Sequence, residues 1–196
     1  MSRLITLKRD TKETNIELSL DLDAAEKPVV KLEGVPFFSH LLNAMAFHGG
    51  FYLQLNASGD IDIDPHHLVE DIGLVLGDAF FKTSSEFGPV RRYAHSVIPM
   101  DDSLSEVSVD AAGRPYLVYR AEYPQPYAGN FPLCLIDEFL TALAGRGRIT
   151  LHAECRYGKN SHHMAESLFK ALGKALGSAY TTIDADAGPQ STKGVL

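Results

Sequence analysis

The chain has 196 residues and a formal net charge of −7, with 45% hydrophobic and 22% charged residues. These values are typical of a globular protein that builds its own core, either as one domain or as two small fused halves. The acidic balance argues against a nucleic-acid binder, which is normally basic, but it leaves room for a small anionic ligand held by a few Lys and Arg side chains. No apolar run approaches the ~18 residues that a membrane-spanning helix needs.

The start of the chain and its two cysteines indicate the cellular compartment. The first residues, MSRLITLKRD, lack the apolar segment of a signal peptide. Cys134 and Cys155 fit neither a disulfide framework nor a C-x-x-C motif, and both lie in apolar-patterned segments. We therefore expect two buried free thiols and a cytoplasmic protein.

Strands and helices alternate along the first half of the chain. The patterns predict strands over 4–9, 14–23, 27–34 and 51–58, and helices over 36–50 and 66–88. Gly73 and Gly77 weaken the prediction of the second helix slightly. One face of that helix carries the apolar residues Leu68, Ile72, Val75, Leu76 and Ala79.

The second half repeats this alternation after a break at Gly88 and Pro89. Strands are predicted over 93–100, 104–112, 115–123 and 148–158, and helices over 132–147 and 161–183, with Ser161 as the N-cap of the last helix. The tail that follows has no periodicity.

An H-H-x-x-E motif occurs once in each half, at His66, His67, Glu70 and at His162, His163, Glu166. Direct alignment of the two helices, and of the helices before them, also matches other positions. These pairs are Leu76 with Leu172, Gly77 with Gly173, Ala79 with Ala175, His40 with Glu138, and His48 with Arg146. Two structurally similar halves, 1–88 and 89–183, followed by an irregular tail over 184–196, are the economical explanation.

The repeated motif has the spacing of a metal-binding helix. His and Glu three or four residues apart share a helix face, whereas adjacent His residues diverge by ~100°. One His and the Glu can therefore bind one metal ion while the neighbouring His points to another, and imidazole with carboxylate suits Mn, Fe or Zn. A single motif is more often a pair of structural or surface histidines, but two motifs at equivalent places favour metal ligands. His40, at the start of a core-patterned helix, adds a further candidate.

Other residues are candidates for binding an anion. Arg92 enters a strand and Arg114 follows a turn, while the tail offers Ser191 and Lys193 next to a glycine. Hydroxyl groups, basic side chains and glycine together make a phosphate cradle, although each residue alone is also compatible with a solvated surface position. Glu13 can equally be an exposed strand residue.

Several segments taken together resemble the imidazoleglycerol-phosphate dehydratase family, over essentially the whole chain. They are FFSHLLNAMAFHGGFYL, DPHHLVEDIGLVLGDAF, VIPMDDSLSEVSVDAAGRPYLVY, ITLHAECRYGKNSHHMAESLFKALGKAL and STKGVL. The resemblance implies an α/β (α+β) fold of two pseudo-symmetric halves, each a four-stranded sheet with two helices on one face. It also implies trimers that assemble into a 24-subunit shell, with two Mn²⁺ ions per active site shared across subunits, other divalent metals being possible.

The implied activity is metal-dependent dehydration of imidazole glycerol phosphate to imidazole acetol phosphate in histidine biosynthesis. The proton lost from carbon is not next to a carbonyl group, so the substrate's own imidazole ring, as imidazolate, is the electron sink. A metal on each ring nitrogen stabilises that imidazolate, and a carboxylate moves the carbon proton.

The resemblance assigns roles residue by residue. Glu13 becomes the acid/base, and Glu70 and Glu166 are counted with it as catalytic. The metal ligands become His40, His66, His67, Glu70, Glu138, His162, His163 and Glu166. The substrate-binding residues become His48, Arg92, Arg114, Lys170, Ser191 and Lys193, with the basic ones mainly on phosphate.

Four positions depart from the family pattern. Glu138 stands where a His is expected, Ser39 and Pro65 stand where Asp is expected, and Asp102 replaces a Glu. Two alternatives to an active dehydratase follow. One is a catalytically weakened relative whose metal ions mainly hold an oligomeric shell together. The other is a dinuclear metallohydrolase, which would release phosphate from generic esters.

Overall fold

The first half of the chain forms one four-stranded sheet and two helices in this computed structural model, which describes residues 2–183. The elements are β1 (Leu4–Asp10), β2 (Thr14–Asp21), β3 (Val29–Leu32), α1 (Pro36–Gly49), β4 (Tyr52–Gly59) and α2 (His66–Glu86). The strand order is β1-β2-β4-β3, and β3 and β4, which flank α1 in sequence, are parallel.

The second half repeats this topology. Its elements are β5 (Tyr93–Met100), β6 (Ser103–Asp110), β7 (Tyr116–Arg120), β8 (Tyr127–Ala128), β9 (Phe131–Pro132), α3 (Leu135–Gly147), β10 (Thr150–Tyr157) and α4 (Ser161–Ala179). The strand order is β5-β6-β10-β7, with β7 and β10 parallel, and the short hairpin β8–β9 was not predicted. The predicted fold class is confirmed, whereas the division at residue 88 stays a prediction.

Within residues 2–183, the four helices lie between the two four-stranded sheets. Helices α1 and α2 pack on the first sheet, α3 and α4 pack on the second, and the pairs α1–α4 and α2–α3 join the halves. The apolar face predicted for α2, from Leu68 to Ala79, is buried in this joint core. Within residues 2–183, no helix is both long enough and apolar enough to cross a membrane.

Glycines allow the helix pairs to approach closely. A Cβ atom placed on Gly173 of α4 would lie 1.9 Å from the carbonyl oxygen of Met45 in α1. A Cβ atom on Gly77 of α2 would lie 2.7 Å from the backbone nitrogen of Gly147 in α3. The match of Gly77 with Gly173 in the repeat therefore reflects one helix crossing built twice, and the glycines that weakened the helix prediction serve packing.

Two local predictions were wrong. Asn160, not Ser161, is the N-cap of α4, because its side chain accepts a hydrogen bond from the backbone N–H of His162 at 2.9 Å. The Ser161 hydroxyl instead accepts from the backbone N–H of Gln125. Cys155 is a buried free thiol as predicted, but Cys134 is exposed, since it precedes the first turn of α3 and lies outside the helix's core-facing stripe.

Candidate metal centre

Three predicted ligands converge where the N-terminal turns of α1 and α4 meet. Nε2 of His40 lies 3.2 Å and Nε2 of His162 lies 3.1 Å from the same oxygen, Oε2 of Glu166. The His162 and Glu166 pair has the i, i+4 spacing of one helix face, and His40 arrives from the neighbouring helix. The three ligand atoms lie within 4.8 Å of one another, close enough to contact one divalent cation.

The Glu166 carboxylate is held in its ionised form. Its burial would raise the pKa, but the hydrogen bonds from Lys170 and His40 outweigh this and lower the pKa of Glu166 to about 2. Lys170 Nζ lies 2.8 Å from Oε1, the oxygen that does not face the two histidines. Lys170 thus orients the carboxylate so that Oε2 is presented to the histidine pair.

Aromatic packing and basic charge border this group. The ring of Phe37 lies 4.9 Å from that of His162 and 6.2 Å from that of His40, measured between centroids. Desolvation, followed by the charges of Lys170 and Lys174, lowers the pKa of His48, so this predicted substrate residue lies within reach of those two lysine charges. The Ser39 hydroxyl donates to the carbonyl oxygen of Val30 at 2.9 Å, so it does not orient His40.

The first motif forms a more open version of the same group. Nε2 of His66 and Oε2 of Glu70 are 3.9 Å apart. The carboxylate of Asp64 accepts a hydrogen bond from the backbone N–H of His66 at 2.7 Å and so caps the start of α2, where Pro65 has no side-chain donor or acceptor.

Glu138 is exposed in the first turn of α3, one residue before Phe139, whose carbonyl oxygen faces Gly73 of α2. It therefore lies toward the His66 end of this helix pair, but within residues 2–183 it joins no group of three ligand atoms.

The second histidine of each motif is bound by an Asp that the sequence did not reveal as its partner. Nδ1 of His67 lies 2.9 Å from Asp60 and 3.9 Å from Glu13. Nδ1 of His163 lies 2.6 Å from Asp102. The hydrogen bond to Asp60 raises the pKa of His67, and the bond from His163 holds the pKa of Asp102 well below its usual range.

The predicted arginines meet at a shared carboxylate far from these histidines. Arg92 binds both oxygens of Asp110, at 2.7 and 3.2 Å, and Arg114 binds one at 3.1 Å. The hydrogen bond to Asp110 raises the pKa of Arg92. The backbone N–H of Arg92 donates to the carbonyl of Ala179, the last residue of α4, so it lies ~24 Å along that helix from His163.

The predicted tail residues Ser191 and Lys193 lie outside the described residues. Asp60 and Asp110 are the functional candidates that sequence reasoning missed, because a carboxylate that binds another side chain leaves no spacing signal.

The ligand atoms that lie together are imidazole nitrogens and carboxylate oxygens, a set that suits Mn²⁺, Fe²⁺ or Zn²⁺. The residues present therefore fit a divalent cation at the His40, His162 and Glu166 group.

Comparison with known proteins shows which family the chain resembles. A family model described as imidazoleglycerol-phosphate dehydratase matches residues 33–176. Proteins of that name from Limosilactobacillus fermentum and Acetivibrio thermocellus are 44% and 45% identical, covering 99% and 100% of this chain and 100% of their own lengths.

Solved structures agree as well. The crystal structure of IGPD from Pyrococcus furiosus has a TM-score of 0.83 at 35% identity and covers 97% of this chain and 100% of its own. The imidazoleglycerol-phosphate dehydratase of Staphylococcus aureus has a TM-score of 0.80 at 33% identity and covers 92% of this chain and 99% of its own. Together with the duplicated histidine motifs and their common fold, these similarities show that the chain belongs to the imidazoleglycerol-phosphate dehydratase family.

Proposed function

We propose that this protein dehydrates imidazole glycerol phosphate to imidazole acetol phosphate, a step of histidine biosynthesis, in a reaction that needs two Mn²⁺ ions per active site. The observation that carries the metal requirement is the convergence of His40, His162 and Glu166 on one point, in a chain of this family. The free, buried thiol of Cys155 is compatible with action in the reducing cytoplasm.

Different residues of the chain are proposed to bind the cations and to orient a ligand carboxylate. His40, His162 and Glu166 hold one cation, and His66 and Glu70, with Glu138, contribute to a second. Bound divalent cations supply Lewis acidity, which stabilises negative charge on the substrate's imidazole ring. Lys170, through its bond to Glu166, keeps that carboxylate ionised and oriented.

Glu13 is the proposed acid/base. Its side chain is 58% exposed and lies 3.9 Å from His67, so it stands beside the metal-ligand histidines while remaining open to a substrate. A carboxylate in that position can take the proton from carbon and return it to the leaving hydroxyl.

Arg92 and Arg114 are the proposed phosphate contacts, and their position argues for a site shared between copies of the chain. The backbone of Arg92 lies at the far end of α4, ~24 Å along that helix from His163, and Arg114 binds the same Asp110 carboxylate, so a small phosphorylated molecule does not bridge the two places within one copy of the chain. A second copy must therefore bring its arginines to the metal-binding residues of the first. The proposed trimers and 24-subunit shell provide that contact, and the metal ions would help to hold it.

The proposal is tested by turnover of imidazole glycerol phosphate on chelator-stripped protein with Mn²⁺ added back. We expect acetol-phosphate product only with the metal present and no release of inorganic phosphate. Generic phosphate monoesters serve as the control substrates and should remain intact. Phosphate release from these esters would indicate a metallohydrolase, and a Mn²⁺-loaded protein without turnover would indicate a role for the metals in assembly alone.

A further inference from the structure

The second histidines of the two motifs share a hydrogen-bonding arrangement that the first histidines lack. His67 and His163 each have Nδ1 within hydrogen-bond distance of an Asp carboxylate, at 2.9 Å and 2.6 Å. His66 and His162, one residue earlier, instead face the motif glutamates with Nε2, at 3.9 Å and 3.1 Å. The two rings of each motif thus meet carboxylates through different nitrogens.

A neutral imidazole has one N–H and one lone pair, and an ionised carboxylate can only accept. A carboxylate on Nδ1 therefore fixes the proton there and leaves the lone pair on Nε2. Metal-binding histidines in proteins commonly have this partner, which fixes the tautomer and the ring orientation. Asp60 and Asp102 occupy that place for His67 and His163.

We propose that Asp60 and Asp102 are positioning residues that hold Nδ1 of His67 and His163 and thereby leave Nε2 of each ring to bind a divalent cation. This inference rests on the proposed metal-dependent function. It assigns a role to two carboxylates outside the predicted ligand set and names the ligating atom of two histidines.

The two halves supply this carboxylate from different loops. Asp102 lies in the β5–β6 turn and is held rigidly, since its Oδ2 also accepts from the backbone N–H groups of Lys159 and Asn160. Asp101, beside it, is 77% exposed and lies 3.7 Å from Nε2 of His163. Asp60 instead follows β4, and its backbone N–H donates to the carbonyl of Glu13 at 3.0 Å.

Glu13 and Asp102 occupy equivalent hairpin turns in the two halves, but only Asp102 makes the close contact to a histidine of its own half. Glu13 lies in the β1–β2 turn, as Asp102 lies in the β5–β6 turn. Asp60 makes the close contact to Nδ1 of His67, the Glu13 carboxylate makes a looser 3.9 Å contact to the same nitrogen, and one ligand atom from each of these three residues lies within 4.8 Å of the others. The Asp102 carboxylate accepts hydrogen bonds from the His163 ring and from the backbone N–H groups of Lys159 and Asn160. The Glu13 carboxylate is more exposed and can exchange a proton with the substrate.

A double-mutant cycle on Asp60 and His67 tests the inference without any assay of turnover. Mn²⁺ is titrated into metal-free full-length protein, and the free ion is followed by electron paramagnetic resonance. We expect Asp60→Ala to weaken binding at one site by ~10- to 100-fold. Asp62→Ala is the matched control, an exposed carboxylate in the same loop, and should leave the affinity unchanged.

The cycle separates a positioning residue from a ligand. If Asp60 acts through His67, the variant His67→Ala/Asp60→Ala binds Mn²⁺ no more weakly than His67→Ala alone. Additive losses would show that Asp60 binds the metal itself, and an unchanged affinity of Asp60→Ala would show that it does neither; both results overturn the inference. Failure of the unaltered protein to bind Mn²⁺ would overturn the metal site and this inference together.

The apo-protein melting temperature is the structural readout for the same variants. Asp60 is partly exposed and its carboxylate contacts His67, so we expect Asp60→Ala to melt close to the parent protein. A large fall in melting temperature that accounts for the whole loss of affinity would contradict a positioning role. The Asp102→Asn/His163→Ala cycle repeats the test in the second half, with Asn retaining an oxygen acceptor for the two backbone amides.

Discussion

Replacing Glu166 by Gln should remove one of the two Mn²⁺ ions proposed for each active site and lower turnover by about 1,000-fold. The carboxylate lies 3.1–3.2 Å from two predicted ligand histidines, and Lys170 keeps it ionised. Gln keeps the shape but supplies no negative charge, and a metal centre contributes several kcal/mol of transition-state stabilisation, equivalent to a few factors of ten in rate. Metal analysis after gel filtration, together with steady-state kinetics, checks both expectations.

Glu86→Gln is the control for this change, because Glu86 is exposed at the end of α2 and distant in sequence from either motif. It should retain two Mn²⁺ ions and normal turnover. Two tightly bound ions in Glu166→Gln would contradict the assignment of Glu166 as a ligand.

The second large effect is expected at the helix crossing. Gly173→Ala would place a Cβ atom 1.9 Å from the carbonyl oxygen of Met45, so the backbones of α1 and α4 must separate. Such overpacking typically destabilises by ~3 kcal/mol, which lowers the melting temperature of a domain of this size by about 6–12 °C. Thermal unfolding of metal-free protein at a fixed concentration measures the change.

Gly145→Ala is the matched control, since Gly145 lies in α3 with open space around its Cβ position. Alanine has the higher helix propensity, so this variant should be neutral or up to about 1 kcal/mol more stable. Equal melting temperatures of the two variants would contradict a close crossing at Gly173.

Much of the fold follows from periodicity. The main strands and the four helices of the described residues were predicted because hydrophobic spacing reports local structure directly, and the H-H-x-x-E repeat revealed the duplication. The errors arise where tertiary contacts decide. Asn160 caps α4 because Gln125, far away in sequence, occupies the Ser161 hydroxyl. Gly73 and Gly77 weaken the helix prediction in sequence, but in the structure they allow α3 to pack closely against α2.

Part of the candidate site could likewise be predicted from local spacing, and part depended on tertiary contacts. His162 and Glu166 could be paired from spacing alone, because one helix carries both. The contact with His40 required the α1–α4 packing, although the repeat alignment and the resemblance supplied the candidate. Asp60 and Asp110 could not be recognised, since their roles depend on side chains brought together by separate strands and loops. The roles of all the predicted site residues stay predictions, and Ser191 and Lys193 also lie outside the described residues.

Glu13 is proposed to move the carbon proton in a Mn²⁺-dependent dehydration. The most direct test is the turnover number of Glu13→Gln with imidazole glycerol phosphate, measured on protein shown to hold its full Mn²⁺ complement. We predict unchanged metal content and a turnover number about 100- to 10,000-fold lower, the usual contribution of a general acid/base. Turnover close to that of the unaltered protein would contradict the claim and assign the proton transfer to another group.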